Sequence, residues 1–315
     1  MRRVIGIHPW VDFAFKKIFG KPGNEICLIS FLNSVLDLPA PIVEVQYLNP
    51  FSFKEFKENK LICVDVKATD TQGQIFVIET QVNVNASFSK RALYYAAKNY
   101  SDQLKEGQGY HKLKATYAVC LLVNPVWKDD RFHHHFRMTE KESGEVLQDG
   151  IEIHSVELSK YNGTLSSLVI ATPLEQWCYW FKHSHEHTVE ELRELLPGLA
   201  FLQATRELYE IQEVKEEKQM YDSREKGQLD WQASILDAEA EGLEKGLKMG
   251  LEKGREEGRE EGLERGQEKG EIKLIRTLQD ILSIPISEDS EFDGKTLVEL
   301  QMITASLRDQ IHKRP

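Results

Sequence analysis

Residues 116–123, Thr-Tyr-Ala-Val-Cys-Leu-Leu-Val, are an almost unbroken apolar run. A strand with one wet face alternates apolar and polar residues, because its side chains point to opposite sides in turn. A strand with no polar side has to be covered on both faces. That single stretch predicts a sheet with helices packed on each side, the α/β class, and excludes an open antiparallel sheet with one solvated face.

The flanking sequence supplies the other parts. Residues 12–19 have helical spacing and stop at Gly20, and residues 24–36 form a second helix with Asn24 as its expected N-cap. Residues 43–48 read as a short strand. Residues 61–69 and 74–81 are two stronger strands joined by the turn-forming Asp70-Thr71-Gln72-Gly73, which predicts a β-hairpin. Residues 86–104 carry Leu93, Ala96, Ala97, Tyr100 and Leu104 at helical spacing, and residues 151–158 form a weaker strand. The order, helices then hairpin then helix then strand, fits a mixed central sheet flanked by helices.

Beyond Pro173 the composition shifts. Trp177, Tyr179, Trp180 and Phe181 lie together at helical spacing and are expected to pack in the core. Thr188 with Glu191 makes a capping box, and the pattern stays helical and charged to about residue 220. Glycine then falls at 242, 246, 250, 254, 258, 262, 266 and 270, always four apart, with Glu, Lys and Arg between. Glu, Lys and Arg favour helix, whereas each interior glycine costs about 1 kcal/mol against alanine. The tract is expected to be either a flexible, conditionally helical linker or a self-association helix, since glycine allows close backbone approach. A glycine stripe of period 4.0 drifts about 40° per repeat and needs right-handed coiling to stay in register. Two short terminal helices are expected at 272–282 and 297–311. The expected organisation is therefore a domain over 1–175, a helical region over 176–230, the glycine repeat over 231–275, and a helical tail over 276–315.

Charge is uneven along the chain. The total is −11, yet residues 1–120 carry a net +4 and the remainder −15. The first part is thus expected to meet an anion, and the same asymmetry also follows from acidic C-terminal helices. No apolar run approaches the roughly 20 residues of a membrane span. The apolar stub before His8 is too short for a secretory leader, so the protein is expected in the cytoplasm. Cys27, Cys63, Cys120 and Cys178 are scattered among apolar neighbours without metal-site spacing, and are expected to be buried thiols.

The hairpin carries the chemistry. Asp65 and Lys67 share a face of its first strand, and Glu79 and Gln81 share a face of its second. Carboxylates inside such apolar strands are costly to bury unpaired. Two of them on adjacent strands repel unless a cation lies between. One arrangement is a surface hairpin in which Lys67 pairs with Asp65 or Glu79. The other is a hard divalent ion held by both carboxylates, which suits substrate phosphate oxygens as well. Tyr94 and Tyr95 are expected in the core, and the His133-His134-His135 run on a solvated loop or strand edge.

Taken in order, several stretches resemble one family. They are Asp12-Phe13-Ala14-Phe15-Lys16-Lys17-Ile18-Phe19-Gly20, Phe31-Leu32-Asn33, Asp65-Val66-Lys67-Ala68 with Gly73, Ile78-Glu79-Thr80-Gln81, Lys90-Arg91-Ala92-Leu93-Tyr94-Tyr95, and Glu157-Leu158-Ser159-Lys160. As a set over residues 8–175 they resemble the recombination-promoting nuclease and transposase family (Rpn) of the PD-(D/E)XK nuclease superfamily, in which glycine-every-four tails are also common. The resemblance implies a restriction-endonuclease-like α/β core followed by a helical C-terminal region. It implies a divalent-ion-dependent DNA endonuclease using Mg²⁺ or Mn²⁺, linked to recombination or mobile elements. Asp65 and Glu79 would be the metal carboxylates, and Asp12 a further acidic ligand or a group that orients one. Gln81 stands where the superfamily pattern has lysine, and a neutral amide only hydrogen-bonds. Lys67 is the first expected substitute and Lys16, one turn from Asp12, the second, with an exposed i,i+4 pair between Lys16 and Asp12 as the equal alternative for Lys16. Lys16, Lys90 and Arg91 are expected to meet DNA phosphates. A catalytically weak or inactive DNA-binding or assembly module of the same fold is the alternative. If the glycine repeat is a self-association helix rather than a linker, it is where a homo-oligomer would form, and no membrane partner is expected.

Overall fold

The structure, a computed structural model, describes residues 3–53, 65–82, 87–147 and 150–313. Residues 61–64 of the expected first hairpin strand, Cys63 among them, lie outside the described residues, as does Ala86. The chain divides into two units, Met1–Gln232 and Ala233–Pro315.

In the first unit, helices α1 (Asp12–Gly20) and α2 (Glu25–Val35) precede strands β1 (Val45–Tyr47), β2 (Val66–Asp70) and β3 (Ile75–Gln81). Helix α3 (Phe88–Ser101) leads to β4 (Thr116–Leu122), β5 (His133–Arg137) and β6 (Ile151–Glu157). Helices α4 (Pro173–His183), α5 (Val189–Leu195) and α6 (Leu199–Glu213) follow. The six strands form one sheet in the order β1-β2-β3-β4-β6-β5. The β3–β4 and β4–β6 pairs are parallel, and β1–β2, β2–β3 and β5–β6 are antiparallel. Every residue of β4 is buried, as its unbroken apolar sequence requires.

The β2–β3 hairpin forms where the sequence places it. Asp70 Oδ1 accepts hydrogen bonds from the backbone N–H groups of Gln72 and Gln74, both at 2.9 Å, and Gly73 takes the left-handed φ of +80° that the turn needs. On one face of the sheet, Val66, Ala68, Phe76, Ile78, Val119 and Leu121 pack against α1, α2 and α4. The centre of that core is aromatic: Phe19 lies 5.5 Å from Trp177, and Phe31 lies 5.5 Å from Phe181, ring to ring. On the other face, Phe88 and Ala92 of α3 pack on Cys120 and Leu122, and Tyr95 packs on Ile75 and Val77. Tyr94 departs from expectation. It points away from the sheet and is 62% exposed, because the apolar stripe of α3 is too narrow to include both tyrosines. Cys27, Cys120 and Cys178 are buried thiols whose pKa burial raises, the first two to about 12.

The expected single helix after Thr188 is broken into α5 and α6 by Pro197-Gly198, and Thr188 and Glu191 do form the capping box. Helix α6 is tied to α1 by ions rather than by apolar contact alone. Lys17, 2% exposed at its side chain, lies 3.5 Å from Glu207 and 3.4 Å from Glu210, and also pairs with Glu217. Asn24 does not cap α2 with its side chain; its amide donates to the Lys17 carbonyl at 3.0 Å instead.

Helix α7 (Lys215–Ile281) runs without interruption through the glycine tract. The pairs Glu241–Lys245, Lys253–Glu257 and Glu261–Arg265 each return only a few tenths of a kcal/mol, less than a glycine costs. Continuity follows from packing at its two ends. Tyr221 is fully buried in the first unit, and Ile275, Leu278 and Leu282 form a separate core with Phe292 and with Leu300 and Leu307 of α8 (Leu297–His312) in the second. A helix held at both ends needs propagation between them but no new nucleus. Among the described residues, no helix is long and apolar enough to cross a membrane.

Candidate active site

The hairpin register brings the two strand carboxylates together. Val66 pairs with Ile78 and Lys67 with Val77, so Asp65, one residue before β2, stands opposite Glu79. Glu79 lies near the carboxyl end of β3, next to the parallel strand β4, where open α/β sheets usually bind ligands.

Asp65 is held at both oxygens. Oδ2 accepts the Thr80 backbone N–H at 2.8 Å, and Oδ1 lies 3.1 Å from the Lys16 ammonium, with both side chains largely buried. Burial raises the Asp65 pKa, against the pull of Lys16 and the Thr80 N–H, while the charge of Asp12 pushes in the same direction as burial. Glu79 is also raised, to about 8, first by burial and then by the negative charge of Asp65. The Gln81 amide donates to Glu79 Oε2 at 3.3 Å. Glu79 Oε1 is buried and has no hydrogen-bond partner among the described residues. Two carboxylates forced together, one with an orphaned oxygen, make a donor set of hard oxygens that fits a divalent cation.

Asp12 opens α1. Its Oδ1 accepts the Phe13 N–H at 2.7 Å, and its Oδ2 lies 3.8 Å from Arg224 of α7. Lys16 is not an exposed partner of Asp12. It is buried and spans from α1 to Asp65. Lys67 shares the face of this cluster but lies two residues further along β2, opposite Val77, and no described contact joins its ammonium to Asp65 or Glu79. Arg91 donates to the Gln81 side-chain carbonyl, and its charge also bears on Glu79. Lys90 is exposed at the first turn of α3.

Gln81 is therefore clamped between Glu79 and Arg91, while a lysine from the first helix occupies the carboxylate cluster. Asp65, Glu79, Gln81, Lys16 and Arg91 come together; Lys67 and Lys90 stand apart. The reading of the sequence missed Arg224 and the Thr80 N–H. Arg224 carries no local signal, since it lies 212 residues from Asp12. Glu157, a residue of the family motif, is fully buried and accepts the backbone N–H groups of Val126 and Trp127 as well as Lys160 Nζ at 2.6 Å. It anchors the loop after β4.

The family model described as PD-(D/E)XK nuclease family transposase matches residues 9–238. No curated protein and no solved structure matches the chain.

Proposed function

We propose, for a chain that belongs to the PD-(D/E)XK nuclease family transposases, that it is a divalent-ion-dependent DNA endonuclease acting in the cytoplasm on phosphodiester bonds. The observation that carries this reading is the buried Asp65–Glu79 pair with Glu79 Oε1 unpartnered and Lys16 against Asp65. Asp65 and Glu79 would hold Mg²⁺ or Mn²⁺, with Asp12 as a further acidic group beside them. The ion, when bound, supplies Lewis-acid charge to the phosphate oxygens and acidifies water for attack.

The chain's own residues do the rest. Lys16, fixed by Asp65, presents a positive charge that the neutral Gln81 lacks, and stabilises negative charge as it develops on the phosphate. Gln81, its carbonyl held by Arg91, aims its amide at Glu79 and keeps that carboxylate oriented. Lys90 and the remaining donors of Arg91 at the start of α3 meet the DNA backbone, giving affinity that falls steeply with salt. The connection to recombination or mobile elements rests on the family alone.

Plasmid nicking by the full chain is the test. Cleavage is expected with Mg²⁺ or Mn²⁺, none with chelator, and none from Asp65→Ala or Glu79→Ala. Cleavage that survives both variants would remove these carboxylates from the reaction. Salt-sensitive DNA binding without any cleavage by the wild type would identify a non-catalytic DNA-binding module.

The tail is proposed to assemble copies of the chain. Leu243, Leu247 and Leu251 are exposed beside the glycine row, and a Cβ built at any glycine from 242 to 270 meets nothing within 4 Å. A Leu247→Glu/Leu251→Glu double variant is expected to lower the solution mass of the full chain to that of a smaller species. An unchanged mass would exclude the tail as the assembly surface.

A further inference from the structure

The far edge of the sheet holds a second group of ligand-type side chains that nuclease chemistry does not use. In the antiparallel β5–β6 pair, His135 stands opposite His154, and Glu152 lies two residues before His154 on the same face. His135 Nε2 is 2.6 Å from Glu152 Oε2, and His154 Nε2 is 3.9 Å from the same oxygen. One ligand atom from each of the three residues can be chosen so that all lie within 4.8 Å of one another.

Two further observations point to a bound ion. His154 is 1% exposed, yet its Nε2 has no hydrogen-bond partner. A buried imidazole nitrogen facing a carboxylate and a second imidazole, with nothing to bond, costs free energy that a Lewis acid would recover. The other ring nitrogen of His154 is already engaged: Nδ1 shares a hydrogen bond with His133 Nε2 at 3.1 Å. With His154 Nδ1–H as the donor in that bond, Nε2 is left free to ligate, and a hydrogen bond from the other ring nitrogen is the arrangement commonly found behind metal-bound histidines.

We propose that His135, Glu152 and His154 bind a divalent first-row transition ion, zinc foremost, with one coordination position left open. Two imidazoles and one carboxylate suit zinc and disfavour magnesium, which takes oxygen ligands. A tetrahedral ion about 2.0–2.1 Å from each ligand needs the ligand atoms about 3.4 Å apart. The separations of 2.6 and 3.9 Å lie on either side of that value, so small side-chain rotations complete the site. His135 is one-third exposed at its side chain and opens the way in from solvent. The ion would clip the edge strand β5 to β6.

This site is distinct from the carboxylate pair. Across the sheet His154 aligns with Val119 and Ile78, whereas Glu79 aligns with Cys120 and Ser155. A one-residue offset puts the two on opposite faces, and β4 lies between their strands.

The test is binding of Zn²⁺ and Co²⁺ to the metal-stripped full chain, in competition with a chromophoric chelator. One tight equivalent is expected, with the intense visible absorption of four-coordinate Co²⁺. Zn²⁺ should also raise the melting temperature. Glu152→Gln should weaken binding at least about tenfold and His135→Ala about a hundredfold. Glu79→Gln should leave it unchanged, which separates this site from the nuclease site. Circular dichroism of the nearly isosteric Glu152→Gln protein controls for folding. Affinity unaffected by Glu152→Gln and His135→Ala, a weak octahedral Co²⁺ spectrum, or loss of the tight equivalent in Glu79→Gln would each overturn the proposal.

Discussion

A Glu79→Gln protein is expected to melt several degrees above the wild type at pH 8 in chelator, and by much less at pH 5. The Glu79 carboxyl group titrates near 8 in the folded chain against an ordinary value of 4.5, because it is buried beside Asp65. The folded state thus holds that proton more tightly than the unfolded state. Its stabilising contribution is complete below pH 4.5 and is lost as the pH rises toward 8. Glutamine carries no charge at either pH, so the variant escapes that loss, which is on the order of 2–4 kcal/mol. In the wild type, Mg²⁺ or Mn²⁺ should restore the difference by supplying the missing positive charge, and it should do nothing for the variant. Cleavage should fall about a thousandfold or more. Differential scanning fluorimetry at both pH values, with and without the ion, checks each part. An equal gain at pH 5 and pH 8 would mean that burial, not ionisation, governs this position.

Lys16→Met should reduce metal-dependent cleavage about 10²–10³-fold, whereas Lys67→Met should change it by no more than about threefold. The ion pair to Asp65 is the reason. Lys16 Nζ lies 3.1 Å from Oδ1, and the Lys67 side chain makes no described contact with either carboxylate. Removing Lys16 leaves a buried Asp65 without its cation and should lower stability by about 1–3 kcal/mol. That loss should shrink at acid pH, where Asp65 takes up a proton. Single-turnover cleavage by both variants, beside their denaturation midpoints, separates chemistry from folding. The reverse order of effects would return the cationic role to Lys67.

The comparison of these two lysines shows how far the sequence reached. Alternation along a strand correctly put Asp65 and Lys67 on one side of a hairpin, and a shared face is all that alternation can express. It does not say that Lys67 lies a full two-residue step, about 7 Å, from the carboxylate. Nor does it show that α1 lies close enough for Lys16 to fill that gap. The same limit applied to Arg91, whose bond to Gln81 the sequence did not show, and to the histidine run. Only His135 of that run shares a ligand cluster, and its companions come from β6.

The sequence by itself determined the α/β class, the hairpin and its turn, the buried β4 strand, and the two carboxylates on facing strands. These follow from local periodicity, turn chemistry and the cost of burying charge, all of which act over a few residues. It also carried, through an ordered set of short motifs, the family whose model matches residues 9–238. The tertiary structure alone decided which lysine meets Asp65, that Glu79 keeps one oxygen unpartnered, that Arg224 reaches Asp12, and that the glycine tract is helical throughout. Each of these depends on groups brought together from distant parts of the chain, or on a helix held by cores at both its ends. Packing a whole chain sets such outcomes, and no short stretch of residues contains them.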